Sequence, residues 1–219
     1  MKSATDIHGV ATPWRLFDGY QPLGGAYDEM VAAPGVLRPH CEGFARSLEA
    51  IGQQDFASRL EGAKRTIREN GVTYNIYGDP EGVDRPWDLD MVPLLISPGE
   101  WARLEAGLVQ RTTLLNLILA DLYGPQTLLD AGLLPPSLVF SNPAFLRACH
   151  GIRVPQGIHL HLHAVDLARS PDGQWWVLAD RTQAPSGAGY ALENRIVISR
   201  SLPDTFRDCQ VHRLASFLT

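Results

Sequence analysis

Most of the residues that could do chemistry in this chain of 219 residues lie between positions 177 and 195. An apolar run ends at the acid Asp180, a Pro-Ser-Gly-Ala-Gly segment follows, and Glu193, Asn194 and Arg195 then stand side by side. Carboxylate and amide oxygens suit Mg²⁺, an arginine fork suits an anion, and glycines let the backbone approach a ligand. Chemistry on phosphates is one interpretation, and a strand-to-helix turn with a capped helix is the other.

The glycine-rich segment supplies the candidate phosphate loop. Ser186, Gly187 and Gly189 precede a helix that we predict to begin near Tyr190. Backbone N–H groups at the start of a helix attract anions, so these three residues are candidates for cofactor binding. Small residues also end many strands for structural reasons alone, and that alternative stays open.

A predicted hairpin positions two acids. Apolar segments at 157–168 and 174–180 flank Ser170-Pro171-Asp172-Gly173, which is a strong turn signal. Closing the hairpin brings Asp166 and Asp180 close together, far from the turn. A one-residue slip in register would instead put them on opposite faces. The alternative is that both are solvated acids at strand ends.

Three histidines alternate along the first of these predicted strands. His159, His161 and His163 should therefore share one face. No cysteine or carboxylate follows at zinc-ligand spacing, so we expect a histidine-lined face toward a cleft rather than a zinc site.

Two further candidates lie on the substrate side. Asp79 follows a predicted strand at 72–77, and Arg85 lies in the loop beyond it. Acids at strand ends and arginines in loops commonly line ligand clefts, although Gly78 and Asp79 are also turn-forming residues.

The remaining pattern predicts mostly helices before position 150 and paired strands after position 151. Residues 1–24 have no periodicity and are predicted to form an extended arm. Ser97-Pro98-Gly99-Glu100 is typical of a capped helix start, and we predict a long helix from there to about Tyr123. Its apolar residues are predicted to be core: Trp101, Leu104, Leu108, Leu115 and Leu119. The other predicted helices span 26–33, 39–51, 54–70, 126–132 and 143–150, and a short buried strand is predicted at 91–96.

Composition narrows the class of protein. Hydrophobic residues make up 45% of the chain and the formal net charge is −5, which fits a folded domain and disfavours nucleic acid or an anionic membrane as partner. The N-terminus has no apolar signal core, and no apolar run approaches the length of a membrane span. The three cysteines are widely spaced, as is usual in a reducing cytoplasm. We therefore expect a cytoplasmic protein.

Several short segments, taken in order, resemble the circularly permuted ATP-grasp type 2 family. They are Tyr27-Asp28-Glu29-Met30, the segment at 72–79, Pro86-Trp87-Asp88-Leu89-Asp90, the segment at 101–111, Asp166-Leu167-Ala168-Arg169, and Pro-Ser-Gly followed by Glu-Asn-Arg. The resemblance covers the chain from about Tyr20 to its end. Family domains are longer, so residues 25–219 resemble the N-terminal part of such a domain. The most useful further observation is which residues follow Thr219 in the parent gene.

The resemblance implies an α+β fold, with a helical N-terminal region followed by an antiparallel hairpin and helix, part of a circularly permuted ATP-grasp fold. It implies an ATP-dependent carboxylate–amine ligase that acts through an acyl phosphate on small-molecule carboxylate and amine substrates. ATP and Mg²⁺ are the implied cofactors. The remainder of the domain, C-terminal to Thr219, is the implied partner. The implied metal ligands are Asp166, Asp180, Glu193 and Asn194.

The chain departs from the family at two positions of the segment 178–187. Ala179 stands where many members have Glu, and Arg181 stands where they have Asn. Both changes remove an oxygen donor of the kind that Mg²⁺ requires. Arg195 is expected to pair with a phosphate or acyl phosphate, and Arg181 to contact phosphate directly. The alternative is a degenerate, non-catalytic domain that binds a ligand or docks a partner.

Overall fold

The structure is a computed structural model that describes residues 15–74, 85–214 and 217. It divides the chain into two compact units. Unit 1 comprises Met1–Ile96, Ser170–Gly173 and Ser186–Thr219, and unit 2 comprises Ser97–Arg169 and Gln174–Pro185. The α+β class is confirmed, since helices are combined with small antiparallel sheets.

The described α-helices, in chain order, are α1 (Glu42–Ile51), α2 (Gln53–Glu69), α3 (Pro98–Leu122), α4 (Thr127–Asp130), α5 (Pro136–Phe140), α6 (Ala188–Ser201) and α7 (Pro203–Asp208). The described strands are β1 (Val31–Ala33), β2 (Val36–Leu37), β3 (Thr73–Tyr74), β4 (Arg85–Pro86), β5 (Ala164–Arg169) and β6 (Trp175–Arg181). They pair as three antiparallel two-stranded sheets, β1 with β2, β3 with β4, and β5 with β6.

Unit 1 is built on packed helices. Helix α2 packs against α6, and α1 packs against α2 and α7. Ala63 and Ile67 of α2 meet Val197 of α6 in a buried cluster that also contains Leu89, Met91 and Leu202. The predictions of helices at 39–51 and 54–70 are confirmed, with the first opening as a 3₁₀ turn at Pro39–Cys41.

Two sequence-based predictions in unit 1 are wrong. The segment 26–33 is not a helix, because the Asp28 carboxylate accepts the backbone N–H groups of Met30 and Val31, and Pro34-Gly35 turns the chain from β1 into β2. The segment 91–96 is not a strand. It contains Pro93, which has no N–H to donate, and no described strand pairs with it.

Unit 2 consists of the long helix α3, the short helices α4 and α5, and the hairpin of β5 and β6. Ser97 caps α3, where its hydroxyl accepts the N–H of Glu100 at 3.3 Å, and Pro98 follows at the first helical position. The predicted start and end of this helix are confirmed. Its predicted role as core is wrong: none of its residues, all of which the structure describes, is buried.

The β5–β6 hairpin contains one irregularity. Pairing runs without interruption from Arg169–Trp175 to Leu167–Val177, and then resumes at Asp166–Ala179 and Val165–Asp180. Leu178 is therefore an extra residue in β6, and the side-chain alternation of β6 is reversed beyond it. The turn is tight at Gly173, which has φ +87° and whose Cβ, if present, would lie 2.7 Å from Tyr27.

The chain from 157 to 163 is not part of β5, in contrast to the sequence-based prediction. The backbone N–H groups of His159 and Leu160 donate to Asn116 Oδ1 at 2.8 and 3.0 Å, so they are unavailable to a strand ladder. The His159 ring lies parallel to Tyr123, whereas His163 contacts Asp180. The histidines therefore do not line one strand face.

A short helix was also predicted at 143–150, and only a 3₁₀ turn at Arg147–Cys149 forms there.

None of the helices that the structure describes is both long and apolar enough to span a bilayer.

Candidate functional site

Asp180 is held by a fork from helix α3. Arg111 donates from Nε to Asp180 Oδ1 at 2.7 Å and from Nη2 to Oδ2 at 2.5 Å, which is a bidentate arrangement. The Asp180 side chain is 19% exposed. The hydrogen bonds from Arg111, together with His163, hold the pKa of the Asp180 carboxyl below its usual range. Asp180 is thus ionised and already paired with a cation.

His163 adds a third donor to the same carboxylate. Its Nε2 lies 3.1 Å from Asp180 Oδ1, and its Nδ1 lies 2.7 Å from Thr112 Oγ1. An ionised carboxylate can only accept, so Nε2 must carry a proton. Thr112 Oγ1 also lies 2.8 Å from the Leu108 carbonyl, to which it donates. Arg111, His163 and Asp180 form a closed network between α3 and the hairpin.

Asp166 lies on the other face of the hairpin. Partners opposite each other on antiparallel strands share a face, and Asp166 is paired with Ala179 whereas Asp180 is paired with Val165. Asp166 accepts from Arg181 Nη2 at 2.7 Å. That pair is largely exposed, and the hydrogen bond from Arg181 lowers the pKa of the Asp166 carboxyl.

The expectation that Asp166 and Asp180 share one metal ion is therefore wrong, although they do lie on adjacent antiparallel strands as predicted. The physical reason is the extra residue Leu178. If the pairing that starts at the turn had continued without this irregularity, Asp180 would lie on the same face as Asp166. Among the described residues no group of three or more His, Cys, Asp or Glu side chains could hold a metal ion.

The other two predicted metal ligands lie in unit 1. Glu193 Oε1 accepts from Asn70 Nδ2 at 2.6 Å, and Asn194 Oδ1 accepts from the Trp87 indole N–H at 2.7 Å. Trp87 is also stacked on Tyr190, with ring centroids 4.4 Å apart. These contacts fix α6 against the rest of unit 1, so both side chains have structural partners.

Arg195 differs from its neighbours on α6. Its Nη1 is buried and makes no hydrogen bond to any residue that the structure describes. Burial lowers the pKa of the guanidinium. An unpaired buried cationic donor is costly, and an anion would satisfy it.

The candidate phosphate loop lies at the start of the same helix. Gly187 is the residue before α6 and has φ +109°, a conformation that favours glycine. No side chain caps this helix start. The first backbone N–H groups of α6, including that of Gly189, have no partner within the helix, so the loop that carries Ser186 can present donors to an anion.

Of the two substrate-side candidates, Arg85 is exposed and lies in β4 opposite Tyr74. Asp79 lies outside the described residues. The role of both in substrate binding stays a prediction.

Comparison with known proteins decides the family. Residues 93–219 match the family described as circularly permuted ATP-grasp type 2. The chain belongs to this family. It is 41% identical over 201 residues to an uncharacterised protein of Mycobacterium tuberculosis (strain ATCC 25618 / H37Rv), a match that covers 88% of this chain and 23% of the relative. It is 37% identical over 198 residues to an uncharacterised protein of Synechocystis, covering 90% of this chain and 41% of the relative. The chain therefore spans less than half the length of these relatives.

Sequence reasoning missed the side chains that hold Asp180. Arg111 is the last residue of the segment 101–111, which stands out in the sequence only as part of the family pattern, and Thr112 has no sequence signal. His163 stands out in the sequence only as one of three alternating histidines. The available signal was that Arg111 belongs to a family segment, 101–111, in a helix of this ATP-grasp protein.

Proposed function

We propose that the chain is part of an ATP-dependent carboxylate–amine ligase that acts through an acyl phosphate, with ATP as its cofactor. Family membership supports an ATP-grasp ligase in general terms. The observation that carries the proposal to this chain's own residues is Arg195 Nη1, which is buried and makes no hydrogen bond to a residue in the described part of the chain.

Helix geometry favours a lean of the Arg195 side chain toward the start of α6. Side chains on a helix lean toward its N-terminus, and Ala188, Ala191 and Arg195 lie on one face. The guanidinium and the uncapped N–H groups near Gly187 and Gly189 would then act on the same anion. Phosphate or acyl phosphate is the anion that ligase chemistry supplies, and fixed donors of this kind stabilise charge as it develops.

The carboxylates in unit 2 do not fit a shared magnesium ion. Asp180 is bound by Arg111 and His163, and Asp166 is bound by Arg181 on the opposite face. A guanidinium beside each carboxylate repels a divalent cation. In this chain Asp180 therefore acts to position Arg111, and the carboxylate and amide oxygens of Glu193 and Asn194 stay predicted metal ligands.

A second candidate function has an observation of its own. Ala179 and Arg181 replace the oxygen donors of many family members, and Arg181 neutralises Asp166. These features favour a degenerate, non-catalytic domain that binds a ligand or docks a partner. Such a domain need not bind ATP at all.

The test is ATP binding to the purified 219-residue chain. Binding is measured by calorimetry and by the side-chain NMR signals of the arginines. We expect ATP to bind and to shift the Arg195 signal, and Arg195→Ala to weaken binding at least about tenfold, or roughly 1.4 kcal/mol. Arg200→Ala is the matched control, because Arg200 is an exposed arginine on the same helix. Phosphate release by this chain should stay at background.

Absence of ATP binding, or equal binding by Arg195→Ala and the unmodified chain, would contradict the ligase proposal and favour the non-catalytic domain. Clear Mg²⁺-dependent phosphate release by the chain alone would contradict the expectation that the remainder of the domain is needed for turnover.

A further inference from the structure

Unit 1 contains a cavity formed by the chain between Phe17 and Val31, with a volume of about 470 Å³. Cavities of this size hold small molecules. The aromatic side chains of Phe17, Tyr20 and Tyr27 line it together with two acids and several apolar residues. No lysine or arginine is among the lining residues that the structure describes. An aromatic and apolar lining with negative charge suits an organic cation.

Asp28 supplies a fixed negative charge in this cavity. It belongs to the family segment Tyr27-Asp28-Glu29-Met30, to which the proposed function gives no role. Its Oδ2 accepts the Tyr20 hydroxyl at 2.5 Å, and its Oδ1 accepts the N–H groups of Met30 and Val31 at 2.9 and 2.7 Å. Burial opposes ionisation of this carboxyl, but the hydrogen bonds outweigh burial and hold its pKa below the usual range. Asp28 is therefore an anion held by neutral donors.

The carboxylate of Asp28 forms no ion pair with any cation in the described part of the chain. Arg38 lies nearby, and its charge favours the ionised form of Asp28. Its Nε, however, donates to the backbone carbonyl of Asp28 at 2.7 Å, and its guanidinium lies 3.8 Å from the centroid of the Tyr27 ring. The two acids of the hairpin differ in this respect, because Asp166 and Asp180 each contact an arginine. Asp28 can therefore pair with a cation that enters the cavity.

Two aromatic rings in the same cavity can contact such a cation. Phe17 and Tyr20 meet edge to face, with ring centroids 6.1 Å apart, and the faces of aromatic rings attract ammonium groups. Phe17 packs against the buried cluster around Val31, which holds it in place, whereas Tyr20 is 45% exposed. The cavity therefore combines a fixed wall with a ring that a ligand can reach.

We infer that this cavity binds the ammonium group of a small organic amine. The ammonium group would donate to Asp28 and lie against the Tyr20 ring, while the apolar part of the amine contacts side chains such as Leu23 and Met30. An inorganic cation would make no use of the apolar lining, and a carboxylate or phosphate would be repelled by Asp28 and Glu29. The inference holds whether or not the assembled protein is a ligase, although an amine is one of the two substrates that the proposed ligase requires.

The experiment titrates the purified 219-residue chain with phenethylammonium at pH 7, where an alkyl amine is protonated. Backbone NMR signals of Met30 and Val31 report binding, because both N–H groups donate to Asp28. We expect saturable shifts of these two signals and a dissociation constant in the millimolar range, as befits a ligand of few atoms. The uncharged analogue 2-phenylethanol has the same apolar part and should bind at least about tenfold more weakly. Phenylacetate, which is an anion, should not bind.

Asp28→Asn removes the charge but keeps an oxygen that can accept the two backbone N–H groups. It should weaken phenethylammonium binding at least about tenfold. Asp121→Asn is the matched control and should leave the dissociation constant unchanged. The Asp121 carboxylate also accepts backbone N–H groups and a hydroxyl, from Thr127 and Leu128, but it belongs to unit 2 and does not line this cavity.

Tyr20→Leu is a second variant that tests the ring. Because Tyr20 is 45% exposed, the chain should stay folded, and binding should weaken about threefold. Three outcomes would overturn the inference: no saturable shift of Met30 and Val31, equal binding of 2-phenylethanol, or equal binding by folded Asp28→Asn. The titration contains no ATP and reports on residues away from Arg195, so this inference and the proposed function fail separately.

Discussion

Unit 1 and unit 2 bury their apolar residues to very different extents. Unit 1 contains the buried clusters around Ile67 and around Val31, whereas Val139 and Leu160 are the buried apolar residues described in unit 2. Full burial of one aliphatic side chain stabilises a fold by about 1.5–3 kcal/mol. Most of the hydrophobic stabilisation in this chain therefore belongs to unit 1.

The difference teaches that an apolar pattern predicts which residues need burial, but not what buries them. Ile67 on α2 and Leu114 on α3 both belong to helices with apolar residues, yet Ile67 is 1% exposed and Leu114 is 56% exposed. Unit 1 supplies its own covering side chains. Unit 2 leaves its long helix α3 without a buried residue.

The largest expected effect is on the core of unit 1. Ile67→Ala should destabilise the chain by about 2–5 kcal/mol, because it removes buried methyl groups and leaves a cavity. Leu114→Ala is the matched change in unit 2 and should alter the free energy of unfolding by less than about 0.5 kcal/mol in the isolated chain. Chemical denaturation of both variants measures this, and equal losses would break the comparison between the units.

A smaller effect is expected from the Asp180 network. Asp180→Asn replaces an acceptor oxygen that faces Arg111 with an amide group and removes the charge, so we expect the melting temperature to fall by roughly 2–4 °C at neutral pH. The folded-state pKa of Asp180 is depressed, so its contribution is present above the unfolded pKa of about 4 and is lost as pH falls through the folded value.

Thermal unfolding of the two proteins from pH 7 to pH 3 tests this pH dependence. The difference in melting temperature should be constant above about pH 5 and should shrink as the pH falls below about 4. A difference that grows on acidification would contradict the arrangement of Arg111, His163 and Asp180.

The smallest effect is expected at the exposed pair on the other face of the hairpin. Arg181→Asn removes the partner of Asp166, but both side chains are largely solvated, so the melting temperature should change by less than about 2 °C. A fall in melting temperature as large as that of Asp180→Asn would contradict the view that the more exposed Arg181–Asp166 pair contributes less stability than the Arg111–Asp180 pair.

The sequence predicted the helices well where it contains explicit start and stop signals. Ser97-Pro98 begins α3, Asn70-Gly71 follows α2, and the Ser170–Gly173 turn joins β5 to β6. These signals are local, because capping and turn formation depend on a few neighbouring residues.

The side-chain arrangement of the site was less predictable, because it depends on one irregularity. Nothing in Val177-Leu178-Ala179 identifies Leu178 as an extra residue, yet that residue decides which face Asp180 occupies. Asp180 pairs with Arg111, 69 residues away along the chain, and with His163, 17 residues away, and residue spacing does not reveal such tertiary contacts.

The most direct test of the difference between the units is native-state hydrogen exchange on the isolated chain. The measurement compares the backbone amides of Ile67 and Val197 in unit 1 with those of Leu108 and Val177 in unit 2. We expect the unit 1 amides to exchange at least about a hundredfold more slowly, because unit 1 has the buried core and unit 2 has a helix without buried residues. Exchange of Leu108 and Val177 that is as slow as that of Ile67 would contradict the account.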